Sequence, residues 1–205
     1  LLGLVDQTSG AAAAVPAFTF TTGDPAYDED GEVARLLEGG AHRLHRCRLR
    51  PEDVPALAAE VHAHLRQPFG GIPTLAYARL FEGARQAGVT VVLDGQGLDE
   101  AWAGYDYFSS FVGDGTHVAD VATTPVVQGA RSPVTRPDCL SEELLALVPP
   151  RPTDAPSTFP DPLRQVQLRD LTQTKLPRAL RYNDVVSMRA SVELREPFLD
   201  HRLVE

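Results

Sequence analysis

Apolar and polar positions alternate along this chain in two rhythms. Ala17 to Thr22 is short, apolar and rich in Phe and Thr, and Arg43 to Leu49 alternates loosely, so both read as strands. Between them, Tyr27 to Gly39 places apolar residues at Val33, Leu36 and Leu37 behind the acids Asp28, Glu29 and Asp30, and ends on Gly39-Gly40. Acids in a first turn and glycine after the last predict a helix. Pro51 opens another, with Val54, Leu57, Ala58, Val61 and Leu65 at helical spacing. A break at Gln67 to Gly71 precedes a helix over Thr74 to Ala87, stopped by Gly88. Val89 to Leu93 is apolar on both faces, which predicts a central parallel strand covered on either side.

Strand and helix thus alternate over residues 1–112, the order of an α/β domain with a parallel sheet flanked by helices. Residues 113–162 differ: nine of the seventeen prolines lie between Pro125 and Pro162. That region reads as a Pro-rich insertion or loop, with one short helix at Ser141 to Val148 capped by Ser141. Residues 163–205 turn helical again, with amphipathic runs at Leu163 to Leu171 and Leu176 to Val186. The chain opens on Leu1-Leu2-Gly3-Leu4-Val5, which reads as the interior of a buried helix, and stops inside another apolar pattern. It reads as a fragment of a longer protein.

Composition narrows the partners. The chain has 205 residues, 43% hydrophobic, with a formal charge of −9. Such a balance disfavours nucleic acid, which needs clustered Lys and Arg. No apolar run reaches the roughly 18 residues of a membrane span. Cys47 and Cys139 match no metal spacing and read as reduced thiols of a cytoplasmic protein. His62 and His64 point in different directions on a helix, which argues against a metal pair.

Two stretches carry chemistry. In the first, the strand ending at Leu93 runs into Asp94-Gly95-Gln96-Gly97 and a helix from Leu98. Ligands of open parallel sheets bind at carboxyl ends of strands, two glycines let a backbone approach them closely, and a helix start offers free N–H groups. Asp99 and Glu100, in the first turn, complement the dipole or hold Mg²⁺ against phosphate oxygens. An ordinary βα turn with a capped helix accounts for the glycines alone. The second stretch, Asp184 to Glu205, mixes Glu193, Arg195, Glu196 and Asp200 with apolar anchors. It reads either as a solvated helix with a Pro-bent turn or as a buried polar network around a small zwitterion.

Together these stretches resemble the asparagine synthetase family. The family's Ser-Gly-Glu-Gly-x-Asp-Glu followed by Gly-Gly-Tyr stands here as Asp94-Gly95-Gln96-Gly97-Leu98-Asp99-Glu100 and Ala103-Gly104-Tyr105. Its Ser-Met-x-x-Ser-x-Glu-x-Arg-x-Pro-Phe-Leu-Asp runs from Ser187-Met188 through Ser191, Glu193, Arg195 and Pro197 to Asp200. Asp170, Leu176-Pro177 and Asp184 match weaker landmarks, and Tyr27-Asp28-Glu29 and His42 fall where the family has similar residues.

The resemblance implies an adenine nucleotide α-hydrolase-like fold of the ATP pyrophosphatase type, with ATP and Mg²⁺. It implies attack of an aspartate carboxylate on the α-phosphate, then displacement of AMP by ammonia. That ammonia comes from glutamine, in a glutaminase domain expected upstream; the oligomeric state is left open, with a homodimer as one alternative. By matching position, Asp99 would bind Mg²⁺; Thr22, Asp94, Gly95 and Gly97 the nucleotide; Glu193 and Arg195 the substrate side; Gln96 and Glu100 the catalytic positions. Gln96 replaces the family's glutamate and Asp94 its serine, and the family's phosphate loop is absent. Glutamine cannot take a proton. This leaves open a relative acting on another carboxylate, or a non-catalytic nucleotide-binding protein.

Overall fold

Parallel strand pairs organise the α/β chain seen in a computed structural model, which describes residues 1–9, 14–111, 141–147 and 159–204. The chain divides into two compact units. One comprises Leu1–Asp94 and Ala179–Arg195, the other Gly95–Arg178 and Glu196–Glu205.

In the first unit, helix α1 (Leu2–Ser9) precedes strand β1 (Pro16–Thr21), which pairs in parallel with β2 (Arg43–Arg48) across α2 (Asp30–Leu36). The register runs from Pro16↔Arg43 to Thr21↔Arg48. A 3₁₀ turn at Pro51–Asp53 leads into α3 (Val54–Leu65), and α4 (Ile72–Gln86) packs on both strands. Proline at the start of α3 and α4 removes N–H groups that a helix start leaves unpaired anyway. Leu57 and Val61 of α3 meet Leu75, Ala78 and Phe81 of α4 in the core. Each such large side chain contributes about 1.5–3 kcal/mol on burial.

Helix α8 (Lys175–Arg189) sends Val186 into that core. Its last residue, Arg189, bonds Glu82 of α4 and lies 3.4 Å from Glu60 of α3. Ser191, with a left-handed φ of 56°, turns the chain back, and Val192 donates to the Ser187 carbonyl at 3.0 Å. Strand β4 (Glu193–Arg195) follows and pairs in parallel with β3 (Val91–Leu93).

Two expectations fail here. Val89 to Leu93 was expected to be covered on both faces, yet Val91 and Leu93 are 41% and 49% exposed. Among the described residues β3 has one hydrogen-bonded neighbour, β4. With Val15 to Phe18, Tyr77 and Phe81, its residues line a cavity of about 460 Å³. The opening helix forms as expected but is not buried: Leu1 is 39% and Leu4 60% exposed.

The second unit holds α5 (Leu98–Trp102), a 3₁₀ segment at Asp106–Phe111, α6 (Glu142–Leu147) and α7 (Pro162–Thr172). It ends in a 3₁₀ turn at Pro197–Leu199 and α9 (His201–Val204). Asp161 caps α7 by accepting from the Leu163 N–H at 2.9 Å. Phe108, Phe111 and Val166 form its core, and Gln167 of α7 donates to the Ala101 carbonyl at 2.7 Å. Most of the Pro-rich stretch lies outside the described residues, as does Cys139. Among the described residues, no helix is long and apolar enough to cross a membrane.

Candidate active site

The loop leaving β1 is built on one carboxylate. Asp28 accepts from the Thr22 N–H at 2.6 Å and its hydroxyl at 2.8 Å, and from the Gly23 N–H at 2.7 Å. The Thr22 amide above all, with the Thr22 hydroxyl, the Gly23 amide and the Arg48 charge, holds the Asp28 carboxyl below its ordinary range against a partial burial. Thr22 thus has its amide and hydroxyl fixed at the carboxyl end of the strand.

A lowered folded pKa stabilises this loop above the unfolded value of about 4 and loses that contribution as pH falls through the folded value. Protection of the Thr22 and Gly23 amides, taken relative to intrinsic exchange at each pH, is therefore expected to hold from neutral pH down to about pH 4 and to fall below it. Asp28→Asn should bring the loss of protection to neutral pH, because its amide nitrogen cannot accept from Gly23. Unchanged exchange in that variant would remove Asp28 as the loop's anchor.

At β3 the strand pairing sets Val91 opposite Glu193 and Leu93 opposite Arg195, and the Asp94 N–H donates to the Arg195 carbonyl at 3.0 Å. Thr22, Asp94, Glu193 and Arg195 all belong to the first unit. The buried polar network considered for Glu193 and Arg195 is not formed. Both side chains are exposed and pair with each other at 2.8 Å. Such a pair is worth under about 1 kcal/mol, so its groups can exchange partners freely.

Gly95, Gln96, Gly97, Asp99 and Glu100 belong to the second unit. Gly97 adopts φ 94° and is buried, and a Cβ there would strike the Leu199 side chain. Backbone conformation and packing thus both require glycine. Gly95 has open space beside it apart from Leu98 at 3.9 Å. The following helix is shorter than the dipole argument needs, since α5 has only 5 residues. Ala103, at a left-handed φ of 58°, ends it where the family pattern has glycine. At Gly104 a Cβ would strike the Asp99 carboxylate.

The adjacent acids of α5 face differently. Asp99 is exposed, and among the described residues no hydrogen bond holds its carboxylate. Glu100 is 2% exposed and accepts from the Tyr105 hydroxyl at 2.7 Å. The Lys175 ammonium, 8% exposed, lies 3.2 Å from the Tyr105 ring centroid and 4.5 Å from that of Tyr107. Tyr107 donates to Asp170 at 2.5 Å. Asp170 is fully buried and also accepts from Arg169 Nε at 3.0 Å and the Thr174 hydroxyl at 2.7 Å.

Burial first, then the bonds to Glu100 and Asp170, pushes both phenols well above their ordinary range. Burial likewise pushes the Lys175 ammonium down, against the opposing charges of Asp170, Glu100 and Asp99. Among the described residues no three His, Cys, Asp or Glu side chains converge as a metal site. The exposed Asp99 fits Mg²⁺ only as an ion held chiefly by phosphate oxygens and water, the usual way proteins bind it.

A family profile described as asparagine synthase matches residues 4–205. The chain belongs to the asparagine synthase family. Among curated proteins, none matches it. Membership makes this an ATP-dependent carbon–nitrogen ligase family chain. Of the residues around Glu100, Asp170 matches only a weaker landmark in the sequence, and Tyr107 and Lys175 match none. The available signals were the Tyr105-x-Tyr107 repeat and the adjacent Arg169-Asp170.

Proposed function

We propose that this asparagine synthase family chain adopts the ATP pyrophosphatase type of fold and activates the side-chain carboxylate of aspartate. A carboxylate oxygen attacks the α-phosphorus of ATP, and the bond to pyrophosphate breaks. The β-aspartyl-adenylate then meets ammonia: nitrogen attacks the carbonyl carbon, the bond to AMP breaks and nitrogen loses a proton, giving asparagine. The ammonia derives from glutamine in an upstream glutaminase domain, in a cytoplasmic homodimer.

The observation that carries this reading is the divergence of the two acids of α5: Asp99 is exposed, and Glu100 is held inside. Asp99 is the metal-side residue, and bound Mg²⁺ would shield the charge of the pyrophosphate oxygens. Thr22, with its amide and hydroxyl fixed, and Asp94, Gly95 and Gly97 serve the nucleotide. The exchangeable pair Glu193 and Arg195 serves the acceptor's charges. Gln96 orients by hydrogen bonding and cannot take the proton released in the second step. Glu100, turned to Tyr105, acts by holding rather than reacting.

Gln96 also favours a second reading, an amide-forming or cyclising relative that uses another carboxylate. The deciding measurement is pyrophosphate release by the full-length protein with ATP, Mg²⁺ and aspartate, with asparagine followed alongside. Aspartate-dependent release is expected. Release with a different carboxylate and none with aspartate would move the assignment to the second reading. No release with any acid would end the ligase reading.

A further inference from the structure

Glu100 and Asp170 place two carboxylates in the interior of the second unit, and Lys175 and Arg169 supply two cations beside them. Among these four groups the charges balance. Glu100 is bonded by Tyr105, Asp170 by Tyr107, Arg169 and Thr174, and the Lys175 ammonium sits against both rings. The rings themselves stack, with centroids 5.5 Å apart. The elements so joined are α5, which carries Asp99, the segment after it, and the α7–α8 turn.

A buried lysine is costly, because its ammonium gives up water and retains only partial replacement from ring faces and carboxylates. Packing alone would be served by Met or Leu. The retained charge acts on what faces it: the Tyr105 ring, whose hydroxyl fixes Glu100, one residue from Asp99.

We propose that Lys175 is a positioning residue of the ligase site: its ammonium clamps Tyr105 and Tyr107 and thereby sets the pose of the α5 turn that bears Asp99. The proposal rests on the ligase reading for its effect on rate, but the clamp itself does not. An acidic turn displaced by about 1 Å costs roughly 10²-fold in rate. The loss falls on kcat rather than on ATP binding, because the charge that the turn serves builds up only in the transition state.

The test uses the full-length protein and follows acceptor-dependent pyrophosphate release. Lys175→Met is expected to lower kcat about 10²-fold with KM for ATP within about threefold, and Lys175→Arg to recover at least about tenfold of the loss. A Met variant within about threefold of the parent, or an Arg variant no better than Met, overturns the proposal. Should the Met variant fail to fold, Lys175→Met combined with Glu100→Gln removes one charge of each sign. That pair should be no slower than Glu100→Gln alone, because the lysine acts through the glutamate. Losses that multiply independently overturn the proposal. A parent that releases no pyrophosphate with any acid removes the ligase reading only. The clamp is then read from the tyrosine band in near-ultraviolet circular dichroism, which Lys175→Met should alter and Lys175→Arg preserve. An unchanged band in the Met variant overturns the clamp.

Discussion

Asp99→Asn in the full-length protein is expected to lower acceptor-dependent pyrophosphate release by about 10²- to 10³-fold. The Mg²⁺ concentration needed for half-maximal rate should rise at the same time. The carboxylate is exposed and held by no hydrogen bond among the described residues, so its removal should move the thermal midpoint by no more than about 2 °C. Asparagine preserves shape and one acceptor oxygen but carries no charge, and charge is what a phosphate-bound metal requires of it. Glu100 cannot substitute, because it is 2% exposed and bonded to Tyr105. A variant with parental rate and parental Mg²⁺ dependence would leave the metal to the phosphates and Asp99 without a part in catalysis.

What could be read in the chain follows the range of the forces involved. β1, β2, α3 and α4 are legible because their apolar spacing and turn residues are local: Pro51 and Gly88 sit beside the ends they mark. β4 is not, because Glu193–Arg195 has a single apolar residue and becomes a strand only by pairing with Val91–Leu93, far away in the chain. The apolar run at β3 predicts burial on both faces, but such a run specifies only a preference. Val91 and Leu93 stay open where no described strand covers them.

The candidate site divides the same way. Gly97 is legible as a residue that needs conformational freedom, but its contact with Leu199 is not. Asp99-Glu100 reads as one acidic turn, and only the fold sends one acid outward and the other inward. Lys175 and Asp170 are charged residues in a polar helical stretch, and by themselves such residues read as solvent-facing. Their burial follows from two tyrosines more than sixty positions earlier.

Asp170 is where that burial is most consequential. Asp170→Leu is expected to destabilise the second unit by about 3–5 kcal/mol, the usual cost of removing one partner from a buried ionic network. The aspartate is fully buried and accepts from the Tyr107 hydroxyl, Arg169 and the Thr174 hydroxyl. Leucine fills the volume but satisfies none of them. It also removes the carboxylate paired with Arg169 and the largest of the opposing charges on Lys175. Asp170→Asn should cost less, about 1–3 kcal/mol: it keeps an acceptor oxygen and loses the charge that balances Arg169. Hydrogen exchange at α7 backbone amides measures both variants, and for leucine a loss of protection of about 10²- to 5 × 10³-fold corresponds to that range. The ordering leucine worse than asparagine separates a charge-balanced network from ordinary packing. If the interior at residue 170 were held by shape alone, leucine would protect α7 as well as the parent does, and the network would be incidental to the stability of this unit.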